Sequence, residues 1–216
     1  MAVLQGQVTV LSDCQEMGMV RNFEDAVIGI LGPARSGSLR EVDWGLLERR
    51  LGVSLPCDYK RIIVRYAPVQ VNVHMFLHHP STERWNLGQW MEGTVAAFSS
   101  RDLTGAQCPG FPGGPVLGGA GGLAPLLSTD RGEYLFGAVK HPSEEWRFLA
   151  CNGDEQDFYE YRVSFAEWLY RYLSGESMFG PGSAVFYPGP VEFEGMPMTA
   201  TEPFDTWYGP DRGDRS

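Results

Sequence analysis

A chain of 216 residues has room for one domain with an appendage, or for two small domains, and can bury a substantial core. With 43% hydrophobic and 20% charged residues, its composition is that of a soluble globular protein. The formal charge of −10 repels nucleic-acid phosphate and anionic lipid and attracts basic proteins, so neither nucleic acid nor membrane is expected as a direct partner.

The first residues, MAVLQGQVTVLSD, carry no basic n-region and no apolar h-region, which argues against export by that route. A first helix is expected over 22–31: Asn22 can cap it, Phe23, Ala26, Val27, Ile30 and Leu31 form one stripe, and Gly32-Pro33 ends it. A polar Gly/Ser link then leads into EVDWGLLERRLGVSLPCDYKRIIVRYAP. There Trp44, Leu47 and Leu51 recur at helical spacing until Gly52 stops the helix. Leu55-Pro56 restarts the chain, because proline at a first helical position has its φ preset and lacks an amide hydrogen that would be unbonded anyway. Tyr59, Ile62, Ile63 and Tyr66 share one face of the second helix, and Pro68 forbids its continuation.

Val71, Val73, Met75 and Leu77 alternate with Asn72, His74 and Phe76, the pattern of one strand with one buried face. The longest uncharged stretch, 103–129, holds eight glycines and four prolines; it rules out a membrane helix and reads as loop. Strands are expected over 133–139 and 146–151. Asn152-Gly153, both tolerant of positive φ, would turn the second into an antiparallel partner over 157–162. In the last clear helix Ser164 and Glu167 form a capping box, Phe165, Trp168, Leu169, Tyr172 and Leu173 make the stripe, and Gly175 closes it. Helices first, strands in the middle and a helix last predict an α+β fold with a mostly antiparallel sheet.

Residues 176–216 change character, with six prolines, seven aromatics, seven acids and two bases. Disordered tails are poor in aromatics, so part of this segment is expected to pack back on the domain. The sharper alternative is an arm that docks on a partner or on a second subunit, which would give a route to a homo-oligomer.

A tryptophan-bearing helix, a glycine, and Leu55-Pro56-Cys57-Asp58-Tyr59 opening a second helix resemble the start of a SUKH domain. This is the superfamily of bacterial toxin-immunity proteins and of the fungal Smi/Knr-type cell-wall regulators. Gly121-Gly122-Leu123-Ala124-Pro125 is similar to the family's glycine-rich approach to its central strands. The stretch DRGEYLF, 130–136, is similar to its Gly-containing acidic turn and apolar strand, Trp146 to a tryptophan of the next strand, and SFAEWL, 164–169, to its closing helix. The resemblance covers 22–175, with two departures: Ala67-Pro68 replaces a frequent glycine pair, and Leu126-Leu127 stands where the family carries a tryptophan. It implies a SUKH-like domain over 20–175, a twisted, mostly antiparallel sheet flanked by helices, followed by a Pro/aromatic-rich acidic extension over 176–216. It further implies a protein-binding module without cofactor and without catalysis: an immunity protein neutralising a bacterial toxin by direct contact. The alternative it offers is an intracellular regulatory or scaffold module of the Smi/Knr type.

From Arg131 onward fifteen Asp and Glu face seven Lys and Arg, so this part supplies −8 of the total charge. Glu144, Glu145, Asp154, Glu155, Asp157 and Glu160 cluster about the proposed hairpin. Such density suits a solvated face, a general acid/base pair, a calcium site or a docking surface. Asp154-Glu155-Gln156-Asp157 lacks the alternating ligand spacing of a calcium loop. Among the functional readings docking is preferred, with a basic toxin domain such as a nuclease as the partner.

Other chemistry is thin. Cys14, Cys57, Cys108 and Cys151 lie far apart without a C-x-x-C pair, which fits a reduced cytoplasmic protein and neither a disulfide framework nor a zinc site. Pro80 separates His79 from Glu83 and breaks the helix that would align them on a metal, so His78-His79 reads as a surface turn. Cys57, in a helix's first turn, has no base or oxyanion site nearby in sequence, so a hydrolase using Cys57 or the histidines is the third reading. The glycine run from Gly110 to Gly122 contains no phosphate-loop pattern.

Overall fold

In the computed structural model, residues 22–34, 41–101, 103, 106–138, 146–152, 157–197 and 201–212 are described. Asn22 caps α1 (Phe23–Leu31) by accepting the backbone amides of Glu24 and Asp25. Asp43 caps α2 (Trp44–Leu51), whose far end is closed by Gly52 at φ 66°. The backbone there is left-handed, a setting that favours glycine. After Leu55-Pro56 comes α3 (Cys57–Tyr66), which buries the expected Tyr59, Ile62, Ile63 and Tyr66. It is followed by β1 (Val69–Val71), β2 (Met75–Leu77), α4 (Leu87–Ser99), β3 (Leu123–Thr129) and β4 (Tyr134–Ala138). The chain continues through β5 (Arg147–Cys151), β6 (Phe158–Tyr161), α5 (Phe165–Leu173), β7 (Glu192–Gly195) and β8 (Asp205–Tyr208).

The eight strands form one antiparallel sheet in the order β6-β5-β4-β3-β2-β1-β7-β8. This is the α+β class the sequence predicts. Its inner face carries the main core, where Val27, Ile63, Phe165 and Trp168 of α1, α3 and α5 meet Val69, Val71, Met75, Leu77, Leu126, Leu135 and Phe148. A paired row crosses the outer face from edge to edge: Phe158, Cys151, Tyr134, Ser128, Phe76, Gln70, Glu194 and Thr206. Over β3–β6 that face is covered by Phe98 of α4, by Leu103 and Cys108, and by half-buried Phe111 and Leu117 from the glycine-rich loop. Toward β8 the row ends in half-buried and exposed side chains.

Two of the expected elements meet a different structure, and one helix was not expected. The single strand expected over 71–77 is a hairpin: Asn72, Val73 and His74 form its loop, closed by the His74 amide donating to the Val71 carbonyl at 3.0 Å. An odd number of loop residues keeps Val71 and Met75 on the same face, so the two-residue alternation runs unbroken through the turn and conceals it. Val73 consequently points out, and His74 is buried.

The loop expected over 103–129 gives way after Gly122 to β3, every residue of which is buried. A strand covered on both faces shows no alternation. Pro125 is accommodated by a bulge between Pro125 and Leu127. α4 has no counterpart in the sequence reading. Asn86 caps it by accepting the Gln89 amide at 3.1 Å, and Leu87, Met91, Thr94 and Phe98 line its buried side. Gly88 and Gly93 blur that signal. A Cβ at Gly88 would stand 2.9 Å from Leu47 Cδ1, so this glycine lets α2 and α4 approach.

The 176–216 segment contributes β7 and β8 to the sheet and buries Met178, Phe179, Val191 and Phe193. Arg212 then clips its end to the body, donating to the carbonyls of Leu173, Tyr187 and Gly189 at 2.9, 2.5 and 2.7 Å.

Candidate functional site

The Leu-Pro-x-Asp-Tyr segment builds a joint, and its polar atoms are consumed in doing so. The Asp58 carboxylate accepts the Tyr59 amide at 2.9 Å and, across the fold, the Ala166 amide in the first turn of α5 at 2.8 Å. One side chain therefore serves two helix starts. Burial raises its pKa even though both backbone bonds lower it. Tyr59 is fully buried, and its hydroxyl donates to the Leu126 carbonyl at 2.9 Å, at the bulge of β3. Cys57, on the same turn, is exposed. Cys108 and Cys151 are buried thiols pushed up to about 12 by desolvation, the opposite of an activated nucleophile.

Of the six acidic residues singled out above, Glu144, Glu145, Asp154 and Glu155 lie outside the described residues. The hairpin that would carry them is present, with β5 and β6 paired in register from Phe148–Tyr161 to Cys151–Phe158. Asp157 directly precedes β6, its carbonyl accepting the Asn152 amide at 3.2 Å. Glu160 sits between two guanidinium groups, 3.6 Å from Arg147 and 2.7 Å from Arg162, so its charge is offset locally.

His74 is buried among several polar partners. Its Nδ1 meets the Asp130 carboxylate, its Nε2 lies 3.6 Å from Glu133 Oε2, and its ring lies 6.2 Å from that of Tyr172 at 16°. Glu133, also buried, accepts from Thr129 Oγ1 at 2.7 Å. Burial first, and then the Glu133 carboxylate, hold the Tyr172 hydroxyl well above its ordinary range. The same residue ties the hairpin to the β3–β4 turn a second time, since the Asp130 amide donates to the His74 carbonyl at 2.9 Å. The arrangement fastens the hairpin to that turn and to α5.

His78 and His79 do follow the strand in a turn, but both point inward and are buried. His78 stacks on Trp90 at 4.8 Å and 12°, and burial depresses its pKa from 6.5 to about 4. The unfolded chain therefore takes up the proton first as pH falls, so stability held above pH 6.5 is lost progressively between 6.5 and 4. The full loss corresponds to about 3 kcal/mol at 1.36 kcal/mol per pKa unit. Urea titrations of wild type and His78→Phe across this range should show a slope in the first and a flatter line in the second. Parallel pH dependences would mean that His78 does not set the slope.

Sequence reasoning placed the aromatics of the β8 end in an extension that packs back or docks, without assigning them a strand or a face. Phe204 is 64% exposed and Tyr208 61%, while Trp207, on the other face, stacks on Phe193 at 5.3 Å. Pairing sets Glu192 beside Tyr208 and Glu194 beside Thr206. The legible signal was the alternation in Phe204-Asp205-Thr206-Trp207-Tyr208, a half-buried strand pattern inside a segment read as an extension.

Among the described residues no helix is long and apolar enough to cross a membrane, and no group of three or more His, Cys, Asp or Glu is placed to hold a metal ion. No family model, no curated protein and no solved structure matches this chain.

Proposed function

We propose that this chain is a SUKH-like protein-binding module, an immunity-type protein that neutralises a bacterial toxin in the cytoplasm by covering its active surface without itself catalysing a reaction. The observation that carries the reading is the convergence of separate resemblance motifs on one joint. Asp58 of the Leu-Pro-x-Asp-Tyr segment reaches the start of the closing helix at Ala166, and Tyr59 reaches the central strand at Leu126, directly after the glycine-rich motif and at a position that departs from the family pattern. Motifs about a hundred residues apart in sequence thus act as one structural unit, as a shared scaffold requires. The acidic bias after Arg131 supports a basic partner such as a nuclease toxin, whose phosphate-binding cleft an acidic face would occupy. A regulatory module of the Smi/Knr type is the second reading, because it uses the same scaffold with a different surface.

Co-expression with the toxin-like protein encoded beside this chain tests the proposal. Rescue of growth together with a stable complex is the expected result; continued killing with no complex overturns it. If the hairpin acids form the docking face, reversing the charge of Asp154, Glu155 and Asp157 slows association at low salt, and an unchanged rate removes them from the interface.

A further inference from the structure

We infer that the outer face of β7 and β8, together with Val73 of the adjoining turn, is a docking surface for a basic, extended polypeptide segment. The inference rests on the binding-module reading and names the surface and the partner chemistry. Phe204 and Tyr208 hold large apolar area in water on this face, where their alternation partners Asp205 and Trp207 turn toward the body. Glu192 and Glu194 pair beside Tyr208 and Thr206, so carboxylates and exposed aromatics alternate across two strands. Between Val191 and Arg212 five acids stand against one base, a difference of −4, and that base is spent on three carbonyls of the body. No cation on β7 or β8 opposes an incoming one.

Val73 adds an independent observation. Asn72 and Val73 hold φ of 52° and 53°, a left-handed setting that a β-branched residue adopts only at a cost and that glycine would fill without one. Val73 is nevertheless 51% exposed, contributing little to the core in return for that cost. Asn72 ties this turn to the face: its amide donates to the Glu192 carbonyl at 2.8 Å, and its Oδ1 accepts the Glu192 amide at 3.0 Å. Strain retained at an exposed apolar side chain, in a turn bonded to β7, fits a contact residue. Charge chooses the occupant. A second copy would bring Glu192 and Glu194 toward an equally acidic chain, whereas lysine or arginine at alternate positions of an extended segment would meet the carboxylates and leave its apolar side chains for Phe204, Tyr208 and Val73.

The test titrates the full chain with an alternating Lys-Val hexapeptide and with its Glu-Val counterpart, following backbone amide shifts and heats of binding. Saturable, salt-sensitive binding of the lysine peptide is expected, with shifts at Glu192–Gly195 and Asp205–Tyr208. Affinity should drop about ten-fold in Glu192→Lys/Glu194→Lys and in Phe204→Ser/Tyr208→Ser. Val73→Gly should raise the thermal midpoint by about 2–4 °C while weakening the peptide, the trade-off of a strained contact residue. No binding, equal binding of both peptides, or affinities indifferent to these substitutions overturns the proposal. So does a concentration-dependent dimer that Phe204→Ser dissolves, since a second copy would then occupy the face. Toxin neutralisation that survives all the variants would sink this surface and leave the proposed function standing; peptide binding without neutralisation would do the reverse.

Discussion

Ending the chain at Gly175 is expected to abolish cooperative unfolding. The deletion removes the strand that pairs with β1 from Val69–Gly195 to Val71–Phe193, together with the Met196 amide that donates to the Pro68 carbonyl at 3.2 Å. It also empties two places in the main core. Phe179 meets Trp168 edge-on at 5.2 Å and Tyr172 at 5.7 Å, and Phe193 is stacked between Tyr66 at 6.1 Å and Trp207 at 5.3 Å. Truncating one such phenylalanine to alanine costs about 3–5 kcal/mol. Losing both, with Val191 and Met178, takes away more than about 5–15 kcal/mol, the whole margin of an ordinary domain. Circular dichroism melts of the truncated chain should show a broad, shallow transition, and Phe193→Ala in the full chain a sharp one displaced downward. A truncated chain with a sharp melt and dispersed amide resonances would show that the first six strands are self-sufficient. The consequence for testing the proposed function is practical: a deletion cannot serve as a binding-deficient control, and any proposed partner surface has to be dissected by point substitution on exposed residues.

The elements that were legible in the sequence share one property, a periodic stripe bounded by a cap or a breaker. Asn22 and Ser164 cap the helices they precede, Gly52 closes α2, and β5 pairs antiparallel with β6 as the Asn152-Gly153 signal predicts. What stayed hidden did so for specific reasons. The β1–β2 turn preserves residue parity, β3 is buried on both faces and so has no alternation, and the two glycines of α4 lower its propensity while one of them serves its packing. The candidate surfaces were less legible still, because exposure depends on which neighbours the sheet supplies. Phe179, Phe193, Phe204 and Tyr208 come from one aromatic-rich segment, yet two are fully buried and two stand in solvent. The His74 constellation shows the same limit from the other side. Its partners Asp130, Glu133 and Tyr172 come from a turn and a helix more than fifty residues away, and no local spacing could announce them.

Removing the carboxylate of Asp58 and the hydroxyl of Tyr59 is expected to cost about 2 kcal/mol each. Asp58→Ala strips the Ala166 amide at the start of α5 of its acceptor, and α5 supplies Phe165, Trp168, Leu169, Tyr172 and Leu173 to the core. Tyr59→Phe leaves the ring packed edge-on against Phe165 at 4.9 Å and orphans only the Leu126 carbonyl, which the bulge has already removed from its ladder. The two bonds run from adjacent residues to different elements. A double-mutant cycle in urea should therefore show a total short of the additive sum of about 4 kcal/mol, because both bonds fix how α3 lies on β3 and α5 and the second is worth less once the first is gone. Acid does not mimic the first substitution. Burial raises the Asp58 pKa above its ordinary 3.8, so as pH falls the folded chain takes up this proton before the unfolded one and gains stability relative to Asp58→Ala. The penalty of that substitution should thus hold or grow toward pH 4. Penalties below about 0.5 kcal/mol for both changes would mean that the joint is held by apolar packing alone, and would take away the structural reason for reading Leu-Pro-x-Asp-Tyr as the signature of the scaffold.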